Sequence, residues 1–315
     1  MALTFAPTAP APTASTSDLA IETRDLSKHY DKQIAVDHLN LQVRQGEVYG
    51  FLGPNGAGKT TTLRMLLGLI QPTSGSATVA GGEPGSAESL DTVGAMIEQP
   101  GFYPYMSGAA NLRLLASYAR VDPSRVETVL RMVDLDKRGD DKFSAYSQGM
   151  KQRLGLAAAL LKGPAVLILD EPSNGLDPAG MAEMRVLIRA LADEGRTVLL
   201  SSHLLGEIEQ ICDRIGVIQK GRLVAEGTVD DLRGRESLSI TALPLDAARA
   251  YLAERPDAEL LGVSGASIQV KTDRSRTADI TRGLVHAGFD VTELSWRRQS
   301  LEDVFLGLTN EREGA

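Results

Sequence analysis

One cysteine, few aromatic residues and no long apolar run set the first limits on this chain of 315 residues. The lone Cys212 excludes an internal disulfide framework and fits a reducing compartment such as the cytosol. Its setting, "EIEQICDR", reads as an amphipathic helix, which favours buried packing over a reactive thiol. No apolar stretch approaches the ~18 residues of a membrane span. Basic residues are outnumbered, 33 Lys and Arg against 41 Asp and Glu, for a formal net charge of −8. Without a long basic stripe, that balance argues against a nucleic-acid binder. Residues 1–20 contain no Lys or Arg and are broken by prolines. They are therefore no secretory signal and read as a disordered leader.

What remains is long enough for two domains, each with its own core. Strand-like runs begin at Ile21, and "GEVYGFLG" leads directly into a helical stretch, "GKTTTLRMLLGLI". A strand pair near "GSATVAGGE" and "VGAMIEQ" follows, and then a mostly helical subdomain over about 100–162. "AVLILD" is a continuous apolar run, the pattern of a central parallel strand covered on both faces. A helix over 178–195, the strand "TVLLSSH" and a hairpin at "IGVIQKGRLVAEG" complete this part. Alternating strands and helices predict an α/β fold with a largely parallel sheet over 21–235. Residues 236–315 change rhythm to strand–helix–strand–strand–helix–strand with a last helix at "SLEDVFLGLTNE". That is the ferredoxin-like order of a small α+β accessory domain.

The strongest chemical signal is "GPNGAGKTT": Gly53, Pro54, Asn55, Gly56, Ala57, Gly58, Lys59, Thr60 and Thr61. Its glycines let successive backbone N–H groups turn onto phosphate oxygens without a side-chain clash. Lys59 can reach the β- and γ-phosphates of a nucleotide, and the Thr60 hydroxyl can ligate Mg²⁺. Thr61, one residue deeper in the helix, falls near the α-phosphate. "AVLILDEPSNGLDP" then places Asp170 at the carboxyl end of the buried strand, where such sheets bind ligands and where an acid suits Mg²⁺. Glu171 follows and can polarise an attacking water. His203, just past another apolar strand, either contacts the γ-phosphate region or serves structure alone. "SAYSQGMKQRLG" offers a second anion-ready helix start around Ser147 and Gly149, followed by Lys151, Gln152 and Arg153.

In this order the pieces resemble the nucleotide-binding subunit of ATP-binding cassette (ABC) transporters, over roughly Ile21 to Arg235. The resemblance implies ATP and Mg²⁺, with a P-loop NTPase cassette of mixed sheet and helical subdomain. It makes Tyr30 the adenine-stacking aromatic, Gly53–Thr61 the Walker A loop, and Asp170 with Glu171 the Walker B acid and general base. Asn174 to Asp177 match the D-loop, with Asp177 among the nucleotide-site residues, and His203 matches the switch histidine. "YSQGM" falls at the family signature, where Ser147, Gln148 and Gly149 would meet the ATP of a second, head-to-tail copy. Gln148 and Met150 depart from the family pattern there. In "IEQPGFYP" the residue lining the nucleotide site and its Mg²⁺ is either Glu98 or Gln99. Phe102, Tyr103 and Tyr105 face a membrane partner or pack in the helical subdomain.

The tail "QSLEDVFLGLT", taken with these motifs, is similar to ATPase subunits of drug, bacitracin and lantibiotic resistance exporters. Such subunits imply transmembrane permease partners, a homodimer of cassettes, and a cytoplasmic place on the inner face of the cell membrane. The rival is a soluble ABC ATPase acting on nucleic acid or the ribosome. Members of that class carry two cassettes with a charged linker, or long coiled coils, and neither is written here.

Overall fold

The computed structural model describes residues 18–31, 33–98, 101–233 and 236–297. They divide into two compact units, one ending at Thr228 and one starting at Val229.

The first unit opens with three antiparallel strands, β1 (Leu19–Tyr30), β2 (Gln33–Leu39) and β3 (Gln42–Arg44). Next come β4 (Val48–Leu52), α1 (Lys59–Leu66), β5 (Ser74–Val79), α2 (Ala87–Thr92) and β6 (Val93–Met96). The helical subdomain holds α3 (Gly108–Tyr118), α4 (Ser124–Met132) and α5 (Gln148–Leu160). The chain then returns through β7 (Val166–Asp170), α6 (Pro178–Asp193), β8 (Thr197–Ser202), α7 (Leu205–Ile211), β9 (Arg214–Gln219) and β10 (Arg222–Thr228).

Two sheets result. One is a six-stranded sheet in the order β10-β9-β4-β8-β7-β6, parallel except for the β9–β10 hairpin. Its central strands "VYGFL", "VLILD" and "TVLLSS" are buried at every position, as two-sided coverage of apolar strands demands. The other sheet is antiparallel, with β1 paired to β2, β3 and β5. Ile21, Val43, Phe51, Leu63, Ile168 and Ile218 belong to one apolar core.

Two expectations change. "GSATVAGGE" and "VGAMIEQ" do not pair: β5 runs antiparallel to β1, whereas β6 runs parallel to β7 in the other sheet. The intervening α2, capped by Ser86 Oγ accepting from Ser89 N–H at 3.2 Å, carries the chain from one sheet to the other. The first strand also starts at Leu19, inside the stretch read as leader, because Leu19 pairs with Arg44 and Ala20 is buried. The remainder of that leader to residue 17, together with Gln99 and the tail helix "SLEDVFLGLTNE", lies outside the described residues.

Within the helical subdomain, Phe102 packs edge-on against Phe143 at 5.2 Å between ring centroids, while Tyr103 and Tyr105 are exposed. Cys212 is buried where a side chain at Gly50 would collide with its sulfur, and burial pushes its thiol far up. A reactive role for it is thereby removed.

The second unit contains α8 (Val229–Arg233), β11 (Ser237–Leu243), α9 (Leu245–Ala253), β12 (Glu259–Ser264), β13 (Ser267–Lys271), α10 (Thr277–His286) and β14 (Asp290–Arg297). Its sheet order is β12-β13-β11-β14 with every neighbouring pair antiparallel, the split βαβ arrangement. Ile240, Leu252, Ile268, Val270, Ile280 and Leu284 form its own core.

Candidate active site

The carboxyl ends of β4, β7 and β8 lie side by side, because these strands are parallel neighbours in register. A crevice at such strand ends is where open α/β sheets hold ligands. The loop from Gly53 to Gly58 leaves β4 there and turns into α1. Two glycines in it are obligatory. A Cβ on Gly53 would lie 2.4 Å from the Ile218 carbonyl oxygen, and one on Gly58 (φ +110°) 2.4 Å from that of Ala35.

The loop is also held from outside. Ala57 N–H donates to the Pro54 carbonyl at 3.1 Å, and the Ala57 carbonyl accepts from Gly221 N–H at 2.9 Å. Gly221 is tied in turn to β2, since its carbonyl accepts from Asp37 N–H at 2.9 Å. Gly58 caps α1 without any side-chain acceptor. Among the described residues, the N–H groups of Asn55, Gly56, Gly58, Lys59, Thr60 and Thr61 have no hydrogen-bond acceptor. A ring of unanswered backbone donors at a helix N-terminus fits polyphosphate oxygens.

The side chains around this ring interlock. Lys59 is buried, and its Nζ donates to the Gly53 carbonyl at 2.7 Å and lies 3.4 Å from Glu171 Oε1. Thr60 Oγ1 donates to Asp170 Oδ2 at 2.8 Å, so two hard oxygens stand together where α1 meets β7. Ser201 Oγ donates to the other Asp170 oxygen and also accepts from Glu171 N–H at 3.1 Å. Glu171 has a left-handed backbone (φ +48°), uncommon for a non-glycine residue. Its Oε2 is paired with His203 Nδ1 at 2.7 Å. Lys59, Thr60, Asp170, Glu171 and His203 are thus one contact network, whereas Pro54, Asn55 and Gly56 form its exposed rim.

The second helix start is built differently. Ser147 Oγ caps α5 by accepting from Met150 N–H at 3.3 Å. Gln148 lies against Gly175, where an added Cβ would be 3.4 Å from its Cγ, and Gly149 faces Leu176. The basic and amide cluster that follows is dispersed. Lys151 sits over the Phe143 ring, Gln152 Nε2 donates to the Asn174 carbonyl at 3.5 Å, and Arg153 reaches the Val133 carbonyl, Asp134 and Glu183. Among the described residues, no hydrogen bond or ion pair joins this segment to the Gly53–Thr61 loop.

The remaining predicted positions are separate. Tyr30 ends β1 with an exposed ring covered by Lys28 Nζ at 5.1 Å from its centroid. Glu98 is exposed and paired with Arg64 of α1. Asp177 caps α6, its Oδ1 accepting from Gly180 N–H at 3.1 Å.

Among polar residues near these motifs, Ser201 and Glu207 went unread in the sequence, and Gln152 was read only as part of the cluster after the second helix start. Ser201 was recoverable, since it sits two residues before His203 on a strand neighbouring that of Asp170. Gln152 and Glu207 gave no such signal: each is buried with one side-chain oxygen unpartnered, a property only tertiary packing creates. Burial pushes the Glu207 carboxyl above the usual carboxylate range, while a hydrogen bond from Ser173 acts the other way.

A phosphate-binding loop meeting two strand-end acids and a histidine defines a nucleoside triphosphate hydrolase, and comparison with known proteins specifies which kind. Residues 36–174 match the ABC transporter family. The bacitracin transport ATP-binding protein of Bacillus licheniformis is 42% identical over 295 residues, covering 91% of this chain and 96% of that protein. A lantibiotic transport ATP-binding protein of Streptococcus pyogenes is 38% identical over 218 residues, covering 69% of this chain and 95% of that protein. Among solved structures, a Clostridium perfringens protein described as part of an ABC transporter complex superposes with a TM-score of 0.62 at 27% identity, over 67% of this chain and 89% of that one. The chain belongs to the ABC transporter family, as one of its ATP-hydrolysing subunits.

Proposed function

We propose that this subunit powers a multi-subunit exporter of drug or peptide-antibiotic cargo, as a head-to-tail homodimer on separate transmembrane permease subunits. The observation that carries the reading is the pairing of two unlike anion-ready helix starts in one cassette. The α1 start has its lysine and acids beside it; the α5 start has only the Ser147–Gly149 turn. A second copy supplies what each lacks. The relatives named for bacitracin and lantibiotic transport support the cargo class. Among the described residues no helix is long and apolar enough to cross a membrane, so the permeation path belongs to other chains. The place of work is the inner face of the cell membrane.

In this reading the backbone N–H groups of the loop hold the phosphates, and Lys59 offsets charge on the β- and γ-groups. Thr60 and Asp170 offer oxygens to Mg²⁺, which when bound neutralises charge growing on the phosphates. Glu171 accepts the proton of the attacking water, and His203, paired to its other oxygen, holds it in position. Ser147 and Gly149 of the partner copy close over the γ-phosphate, and Tyr30 stacks on the adenine.

With ATP and Mg²⁺, Glu171→Gln should bind nucleotide without turnover and elute as a dimer in sizing chromatography. A strictly monomeric variant overturns the sandwich. Affinity purification of the intact chain from detergent-solubilised membranes should bring down a hydrophobic partner polypeptide. Recovery of ribosomes or RNA in its place would favour the soluble class.

A further inference from the structure

The phosphate loop is shaped by the hairpin packed against it, and the chemistry above does not use the side chains that hold that hairpin. β9 and β10 are joined by Lys220 and Gly221, since Gln219 pairs with Arg222 across the turn. Both turn residues have left-handed backbones (φ +49° and +81°), as a two-residue turn that follows the twist of its strands requires. This end of the hairpin meets the loop backbone to backbone at two places. The Ile218 carbonyl lies where a side chain at Gly53 would stand, and Gly221 N–H donates to the Ala57 carbonyl at 2.9 Å.

The tip has a second neighbour in β2. Asp37 N–H donates to the Gly221 carbonyl at 2.9 Å, and a Cβ on Gly221 would lie 3.0 Å from the Ala35 carbonyl oxygen. β10 is the edge strand of its sheet, so no further strand of that sheet steadies it. Side chains secure what the backbone contacts begin. Arg222, the first residue past the turn, donates from Nε to Asp37 Oδ2 at 2.7 Å, and its Nη2 lies 2.7 Å from the same oxygen. His38 Nδ1 lies 2.5 Å from Asp37 Oδ1, so both carboxylate oxygens are engaged. The Asp37 side chain is 13% exposed against 64% for Arg222, so the guanidinium reaches a covered acid from the water side.

We infer that Asp37 and Arg222 form a clasp that keeps the hairpin tip seated on the phosphate loop, as positioning residues for nucleotide binding. The inference rests on the Gly53–Thr61 loop being the phosphate seat. A loop held in its bound shape before ATP arrives spares the ordering cost of binding. Among the described residues, no hydrogen bond or ion pair joins Asp37 or Arg222 to Lys59, Thr60, Asp170, Glu171 or His203. Opening the clasp should therefore weaken ATP equally in the ground and transition states and leave the chemical step alone.

The test is nucleotide titration beside steady-state ATPase kinetics on the full chain, for Asp37→Ala, Arg222→Ala, their double variant and Arg222→Lys. Each alanine variant should weaken ATP about three- to fivefold, the scale of a partly exposed ion pair, and raise KM to match. At saturating ATP, kcat should stay within about twofold of the native value. The double variant should bind no more weakly than the worse single one, as expected for partners in one bond. Both guanidinium contacts fall on one oxygen, so Arg222→Lys keeps an ion pair and should recover most of the affinity. Unchanged affinity in Arg222→Ala, a lysine as weak as alanine, losses that multiply, or a fall in kcat with KM unmoved would each overturn the inference. If Asp37→Ala does not fold, Arg222→Ala decides alone, since it removes a mostly exposed side chain. Gly58→Ala is run in parallel. Unaltered affinity in that variant refutes the phosphate seat itself, whereas a loss there beside normal affinity in Arg222→Ala refutes only the clasp.

Discussion

Two helices of the same cassette begin beside glycines, and they treat their first turn in opposite ways. At α5 the serine before the helix closes on its own backbone, the ordinary cap that stabilises a helix start by about 1 kcal/mol. At α1 the capping residue is a glycine that supplies no acceptor, and the N–H groups of Lys59, Thr60 and Thr61 stay open. Stability is given up at α1 where donors are needed for a ligand bound within the chain. It is retained at α5, where in the proposed head-to-tail pair the ligand would arrive only with another copy.

Substitutions can break or sharpen that contrast. The largest effect belongs to the chemistry beside α1: Glu171→Gln should lower turnover by about 10²–10⁴-fold while nucleotide still binds. A fluorescent nucleotide titration beside a phosphate-release assay separates the two quantities. Gly58→Ala comes next. Its methyl meets the Ala35 carbonyl at 2.4 Å in a conformation that disfavours alanine, so ATP affinity should fall about tenfold or more. Calorimetric titration checks this, and unchanged affinity would mean the donor ring is not the phosphate seat.

Ser147→Arg, on the α5 side, should stop hydrolysis and leave nucleotide affinity of the monomer unaltered. Full hydrolysis in that variant would show that the second helix start has no part in the site. Ser147→Ala should cost only the cap, about 1 kcal/mol of thermal stability without nucleotide. The smallest effect is electrostatic. Because the folded Glu207 carboxyl titrates above its unfolded value, its contribution to stability is fully present below the unfolded pKa. That contribution is lost as pH rises through the folded one. Glu207→Gln should therefore melt less pH-dependently than the native chain as pH rises above the ordinary glutamate range.

The parts of this contrast that could be read from sequence are those written in consecutive residues. "GPNGAGKTT" between an apolar strand and a helix is local chemistry, and so is "AVLILDEP" with its acids at a strand end. The strand and helix order over residues 237–297 was also readable, since the four strands and the helices α9 and α10 each keep their own period. What stayed hidden depends on residues meeting from afar. Nothing in "GSATVAGGE" says that it joins β1 rather than the strand that follows it. "MKQR" looks like a basic patch, yet its side chains turn to Phe143, Asn174 and Glu183, on three separate segments. Glu207 reads as one more charge on an amphipathic helix until burial makes it an exception.

The clamp on the phosphate loop has a further consequence, a kinetic one. The Ala35 carbonyl stands against Gly58, and Gly221, tied to the same strand, holds Ala57. A loop fixed in this way has no slow rearrangement to complete before or after contact with ATP. Association should then follow a single exponential whose rate climbs linearly with ATP concentration in stopped-flow mixing. In the proposed pair, any delay in the cycle would reside in the closing of two loaded subunits on one another, rather than in the seating of nucleotide.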